Sequence, residues 1–261
     1  MTPLRAQLIR YAPGLVMPEH VDGHRRLSIP LSGSLHEQDR VRDELAGVGS
    51  VGLKSARYAH ESRFGEAGTT IISLLLPDRA IESLGYGPAQ LPDWRWHHDD
   101  HASLIALALA AALRLGNSDA VLYRLRSLLA TFRSDPSTLP PMLATIKRRL
   151  EARPEVAPNV TALADAEGIH PVSLGRLFHR HVGCSITRYR QRVRVGSVAR
   201  ALVATNDSLV DVALDHGFAD SSHMTRLFRR EAGLSPARFR TLLHPTTHGL
   251  ESFKTEWALP V

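Results

Sequence analysis

The polarity pattern changes period once along the chain. Over the first 95 residues, short apolar runs such as LSIPLSG (27–33), VGLKSARY (51–58) and TTIISLLLP (69–77) are separated by Gly, Pro and Asp turns. Such runs between turn residues predict antiparallel strands. From Asp99 the period becomes helical. DDHASLIALALAAALRL (99–115) predicts a long helix whose two leading acids complement its N-terminal dipole. Gly116-Asn117 stops it, and SDAVLYRLRSLLATF (118–132) predicts a second helix capped by Ser118. Asp135-Pro136 and Pro140-Pro141 read as a linker, and the segments beyond it are helical.

The second half repeats itself. LFHRHVGCSITRYR (177–190) aligns with LFRREAGLSPARFR (227–240) at an offset of 50 residues. Leu177/Leu227, Phe178/Phe228, Arg180/Arg230, Gly183/Gly233, Ser185/Ser235, Arg188/Arg238 and Arg190/Arg240 match. Each copy follows a short amphipathic helix and a Gly turn: VTALADAEG into HPVSLGRLF, and SLVDVALDHG into FADSSHMTRLF. Helix, tight turn and second helix predict two helix-turn-helix units. Asn159 or Thr161 caps the first, and Ser208 with Asp211 three residues on caps the second. In each second helix, residues at i, i+3 and i+4 make an apolar stripe: Leu174, Leu177 and Phe178, then Met224, Leu227 and Phe228. Val172, Ser173, Gly175 and Arg176 are left outward in one copy, and Ser222, His223, Thr225 and Arg226 in the other. The segment SITRYRQRVRVGSVARALVAT (185–205) predicts a connecting helix of about 30 Å. That length approaches the roughly 34 Å between successive major grooves on one side of DNA. Gly196 interrupts this helix, at a site of close packing or slight bending.

Charge sharpens the picture. The 261 residues carry a formal charge of +6, and residues 140–243 alone carry +7, against zero before them and −1 beyond. A basic excess confined to the repeated segment favours nucleic acid over a diffuse basic surface. A hydrophobic content of 43% supports real cores. The longest apolar run, residues 104–113, is too short for a membrane span of about 18 residues. The N-terminus lacks the apolar core of a signal peptide, and the single Cys184 leaves no intramolecular disulfide. A reducing, cytoplasmic setting is expected.

Residues 140–243 resemble the DNA-binding domain of AraC/XylS-type bacterial transcription regulators. LADAEGIHPVSLGRLFHRHVGCSITRYRQRVR and VDVALDHGFADSSHMTRLFRREAGLSPARFR carry the resemblance, the second through its GF-x-D-x-S-x-x-x-R-x-F core and G-x-SP-x-x-x-R end. The resemblance implies a sequence-specific regulator of transcription rather than an enzyme, bound to double-stranded promoter DNA in the bacterial nucleoid. It also implies a homodimer, a small-molecule effector, and contact with RNA polymerase if the protein activates. The family's base-contacting positions fall on Val172, Gly175 and Arg176, and on Ser222, His223 and Arg226. Arg176 and Arg226, equivalent in the repeat, are the foremost base readers, because a guanidinium can bind guanine through two hydrogen bonds. Gly175 has no side chain to read a base, so the first unit contributes less specificity. Arg180, Arg190, Arg229, Arg230 and Arg240 are candidate phosphate contacts.

Regulators of this type often carry an effector domain built as a small cupin-like β-barrel, and residues 1–95 fit that form loosely. GLVMPEHVDGH places Gly14 six positions before His20, as a first cupin motif does, but the next histidine comes only at His24. A second motif would end at His60, with Ser55 and Arg57 at its usual Pro and Gly positions. His20, His24 and His60 are the candidate effector-binding residues, and with Asp22 they are the candidate metal ligands. Three roles are open here: an organic effector pocket, a purely structural barrel, or a metal site. The last would make the protein a metal sensor, or a metal-dependent cupin enzyme fused to a DNA-binding module. The expectation is no metal and no cofactor. RWHHDDH (95–101) resembles a metal cluster but reads as an acidic helix start preceded by aromatics. The fold expected is α+β. It comprises a cupin-like domain (1–95), a helical dimerisation or linker segment (96–136), a double helix-turn-helix domain (137–243) and a tail (244–261). The alanine- and leucine-rich helix from Asp99 is expected to pair with its copy in a second chain.

Overall fold

The computed structural model describes residues 3–133, 139–156, 158–244 and 254–258. Nine strands lead: β1 (Pro3–Tyr11), β2 (Val16–Val21), β3 (Arg26–Ser32), β4 (Leu35–Gln38), β5 (Asp43–Ala46), β6 (Val51–Lys54), β7 (Ala59–Phe64), β8 (Thr69–Leu75) and, after a short helix α1 (Asp78–Ser83), β9 (Trp94–His97). The boundary set at residue 95 therefore falls inside β9. A tenth strand, β10 (Lys254–Ala258), returns from the end of the chain and pairs antiparallel with β1. That strand lies within the segment read as a tail. The remaining tail residues 245–253 and 259–261 lie outside the described residues, as does Asp135-Pro136 of the linker.

The strands form two antiparallel sheets, ordered β10-β1-β8-β3-β6-β9 and β2-β7-β4-β5. Strands one to eight thus alternate 1-8-3-6 and 2-7-4-5, the double-sheet jelly roll that includes cupins. Burial explains why the runs differ. β7 alternates buried and open residues, as a sheet with one wet face does, whereas β3 and β8 are buried along nearly their whole length. A helix lies against β3.

That helix is α2 (Asp100–Leu115). The Asp99 side chain caps it, accepting from the Ala102 N–H at 3.0 Å, and Gly116 ends it with φ 69°. Thirteen of its sixteen residues are buried, so it has no wet face to offer. One side lies on β3 and β6, and the others on α3 (Ser118–Arg133) and α7 (Ile186–Ala204). Pairing of α2 with its copy would need surface that is already taken up inside one chain. The α3 cap also differs from expectation. Asn117, not Ser118, accepts the Ala120 N–H, at 3.0 Å, and Ser118 is the first helical residue.

Helices α4 (Pro141–Ala152), α5 (Val160–Ala166), α6 (Pro171–Val182), α8 (Leu209–Asp215), α9 (Ser221–Ala232) and α10 (Pro236–Leu243) complete the second half with α7. Two apolar cores divide it. Leu143, Ile146, Leu163, Leu174, Phe178, Tyr189 and Val193 make a small core around α4–α6. Val198, Leu202, Met224, Phe228 and Phe239 belong instead to one large core continuous with α2, α3 and the barrel. The second helix-turn-helix unit is built into the N-terminal half, and the first is not.

Gly196 makes this fusion possible. A Cβ there would lie 1.8 Å from the Asp100 carbonyl oxygen, so α7 and α2 touch backbone to backbone. Arg200, one turn on, closes the contact. Its guanidinium pairs with Asp100 at 3.0 Å and donates to the His98 carbonyl at 3.2 Å. Burial raises the Asp100 carboxyl to about 6 despite that pairing.

Candidate nucleic-acid interface

The two units are built alike. Asn159 accepts from the Ala162 N–H at 2.9 Å to start α5, and Ser208 accepts from the Asp211 N–H at 3.1 Å to start α8. Gly168 and Gly217 make the turns with φ 66° and 73°, a left-handed conformation that suits glycine. Helices α6 and α9 follow, and both end at glycines in the left-handed region, Gly183 and Gly233. Ser185 and Ser235 then cap α7 and α10 through the N–H groups of Arg188 and Arg238. The aromatic packing repeats too: Phe178 meets Tyr189 edge-on at 5.6 Å, and Phe228 meets Phe239 edge-on at 5.1 Å. The starts of the second helices differ. The Val172 N–H donates to His170 Nδ1, whereas the His223 N–H donates to the Asp220 carboxylate at 2.7 Å.

The inner stripe of α6 buries Leu174 and Phe178 with Leu177 half-buried, and that of α9 buries Met224, Leu227 and Phe228. Opposite these stripes, Val172, Ser173 and Arg176 are exposed with Gly175 half-buried. Ser222, His223 and Arg226 are exposed in the same places with Thr225 half-buried. Each face therefore presents its residues along the first half of the helix, where a recognition helix meets base edges. Nothing lies within 4 Å of where a Gly175 Cβ would stand, so this position is open.

The five candidate phosphate arginines separate into two groups. Arg180, Arg229 and Arg230 are exposed. Arg230 is also tethered, donating to the Glu231 carboxylate at 3.0 Å and to the Gln191 side chain at 2.8 Å. Arg190 and Arg240, equivalent in the repeat, are only half-exposed. Arg190 donates to the Pro158 carbonyl, and the Arg240 Nε and Nη2 are buried. Arg194 ties the units together. Its guanidinium donates to the carbonyls of Pro154, Glu155 and Gly217 and lies over the Phe218 ring at 5.4 Å.

The barrel holds a second constellation, which its sequence did not announce. Lys54 on β6 and Glu37 on β4 are both buried and pair at 2.5 Å. The Glu37 carboxylate also accepts from the Trp96 indole N–H at 2.9 Å. His60 on β7 sits beside Lys54, with its Nε2 2.7 Å from Nζ and its Nδ1 3.1 Å from the Tyr58 carbonyl. The geometry fits a neutral ring that donates from Nδ1 and accepts at Nε2. Burial, reinforced by the Lys54 charge, agrees by lowering His60 to about 4. His20 on β2 lies beside His60, with ring centroids 4.4 Å apart and the planes tilted by 50°, while His24 stands exposed in the turn before β3. The barrel therefore brings together two of the three candidate histidines. Asp22 is committed to Arg26 at 2.8 Å. Among the described residues, no three His, Cys, Asp or Glu side chains converge as metal ligands. His97 and His101 part company as well: His97 packs on Phe132, and His101 faces Tyr189.

Known proteins resemble the chain mainly over its repeated segment. A family model described as a helix-turn-helix domain matches residues 163–241. The transcriptional activator RhaS of Escherichia fergusonii is 38% identical over 79 residues, which are 30% of this chain and 28% of RhaS. The match thus spans under a third of that relative's length. The probable transcription factor PqrA of Proteus vulgaris is 30% identical over 97 residues, which are 37% of this chain and 80% of PqrA. Among solved structures, fatty-acid-bound ToxT from Vibrio cholerae aligns with 93% of this chain and 96% of its own, at 11% identity and a TM-score of 0.41. With paired units, matching caps and a relative covered over four-fifths of its length, the chain belongs to the AraC/XylS-type family of helix-turn-helix transcription regulators.

Proposed function

We propose that the protein is a sequence-specific regulator that reads promoter DNA with α6 and α9 under the control of a small molecule. One observation carries the reading: two matched outward faces, 172–176 and 222–226, stand on units joined by the 19-residue α7. At 1.5 Å per residue that helix spans about 28 Å, which suits two recognition helices in successive major-groove segments. Arg176 and Arg226 read bases, helped by Val172, Ser222 and His223, and Gly175 leaves the first unit the weaker reader. Arg180, Arg229 and Arg230 are the arginines best exposed for phosphates. The effector is assigned to the N-terminal half, where His20 and His60 adjoin the buried Lys54–Glu37 pair. The working protein is a homodimer in the bacterial cytoplasm, and it contacts RNA polymerase where it activates.

The test is capture and sequencing of genomic fragments bound by the purified protein at near-physiological salt, repeated with Arg226→Ala. A shared site with two short blocks about one helical turn apart is expected. The variant loses about 1–3 kcal/mol at one base position. Uniform weakening over all sequences, with a shallower salt dependence, would make Arg226 a phosphate contact, and wild-type binding equal for every sequence and lost steeply as salt rises would make the protein an unspecific binder.

A further inference from the structure

A partly enclosed cleft of about 170 Å³ lies where α2 and α3 of the N-terminal half meet α7 and α9 of the DNA-binding half. Its charge is one-sided. Arg124, Arg188, Arg192 and Arg230 line it with a single carboxylate, that of Glu231. Glu231 is nearly saturated: its buried carboxylate already accepts from Arg192 at 3.2 Å and from Arg230 at 3.0 Å. Arg124 donates to the Glu231 backbone carbonyl at 2.7 Å and lies over the Tyr123 ring at 5.4 Å, and burial lowers its affinity for a proton. Arg188 is exposed, and among the described residues no carboxylate pairs with it. The His101 ring also lines it, with a buried Nδ1 that has no hydrogen-bond partner. Three surplus positive charges and an orphan ring nitrogen in a concavity make a focused positive field without its counter-charge. Leu104 and Ile105 supply an apolar wall beside it.

We propose that this cleft binds a small organic anion, its carboxylate or phosphate held by Arg124, Arg188 and Arg192 and its apolar body laid on Leu104 and Ile105. The volume is of the order that admits a single benzene ring. A ligand here would touch α2 and α3 together with α7 and the last turn of recognition helix α9. Its binding would therefore be coupled to how the second unit is held. That consequence rests on the DNA-reading proposal, but binding itself does not, so the two can fail separately.

The experiment is calorimetric titration of the full chain without DNA, at constant ionic strength in chloride. Inorganic phosphate, phenyl phosphate and phenylacetate are the probes. The two aryl anions are expected to bind with a Kd of about 1 mM or tighter, and more tightly than inorganic phosphate because of the apolar wall. Arg188→Gln, an exposed substitution, weakens them about tenfold, the loss of one charge-assisted hydrogen bond. Glu231→Gln, which removes the competing carboxylate, tightens them. No heat from any probe with either wild type or Glu231→Gln overturns the site. So does an unchanged Kd in Arg188→Gln. Loss of DNA affinity at every sequence in Arg188→Gln, with anion binding unaltered, would assign the cleft to the DNA footprint and overturn the proposal too.

Discussion

Two glycines in the DNA-binding half should answer to the same substitution with opposite signs. Gly175 and Gly196 both lie inside helices, where alanine is favoured by about 1 kcal/mol on propensity alone. At Gly175 a Cβ meets nothing within 4 Å, so Gly175→Ala should gain most of that amount. At Gly196 the Cβ would stand 1.8 Å from the Asp100 carbonyl oxygen and 2.5 Å from its carbon. Both are backbone atoms of a buried helix and cannot swing aside. To restore ordinary contact, α2 and α7 must part by more than 1 Å, opening the apolar contacts of Val195, Val198 and Ala199 along the same line. Overpacking of this kind costs about 1–3 kcal/mol, and the opened interface adds to it, so the net loss is about 2 kcal/mol after the propensity gain. For a chain of this size that is a fall of about 5 °C in Tm. Paired urea and thermal unfolding of the two variants measures the difference. The two substitutions also report on different cores, since Gly175 stands on α6 of the small core and Gly196 adjoins the large one. A Gly196→Ala protein as stable as wild type would refute the close crossing of α2 and α7, and with it the fusion of the second unit to the N-terminal half.

The barrel gives two further tests. Lys54→Met leaves the Glu37 carboxylate buried without its cation and should cost about 3–5 kcal/mol. Adding Glu37→Gln, which keeps an acceptor for Trp96, should restore much of that stability, and failure to do so in urea unfolding argues against the pair. His60 sets an acid limit. Its folded value of about 4 lies below its ordinary 6.5, so the unfolded chain takes up the proton first. Stability is therefore fully present above pH 6.5 and falls by about 3 kcal/mol as pH drops to 4. His101, also lowered to about 4, acts in the same direction. Asp100, raised to about 6, acts in the opposite sense, regaining stability as pH falls from 6 towards 3.8. His60→Gln should flatten the measured slope between pH 6.5 and 4, and an unchanged slope would show that His60 takes up its proton as readily in the folded protein as in the unfolded chain.

The parts legible in the sequence are those set by local geometry. Glycines at the end of α6 and α9, serines before α7 and α10, and the i, i+3, i+4 stripes each leave a mark within one helix turn. The outward faces could therefore be drawn residue by residue, and Val172, Ser173 and Arg176 stand exposed as drawn, with Ser222, His223 and Arg226. What escaped depends on distant partners. In VGLK, Lys54 looks like the wet end of a strand, and only the fold places it against Glu37 of another strand and His60 of a third. Asn117 and Ser118 are equally good caps in isolation, and the chain direction after Gly116 decides between them. Strand β10 is separated from its partner β1 by almost the entire chain, so no local pattern could pair them. The Arg190 and Arg240 positions repeat like the others, yet packing around α7 and α10 turns both arginines partly inward.

The repeat makes the two DNA units look interchangeable, and the packing shows that they are not. Helix α7 is the shared beam: Ile186, Tyr189 and Val193 enter the small core, and from Val195 onward its residues enter the large one. The division falls within one turn, at Arg194 and its hold on Pro154, Glu155 and Gly217. Those are hydrogen bonds to carbonyls at 3.2–3.4 Å, at the long end of the usual range. The N-terminal half holds the second unit by Gly196, Arg200 and the large core, and it touches the cleft from the same side. A signal arriving in that half therefore reaches the second unit first, through the shared core, and the first unit through α7 and the contact of Glu155 with the Gly217 turn.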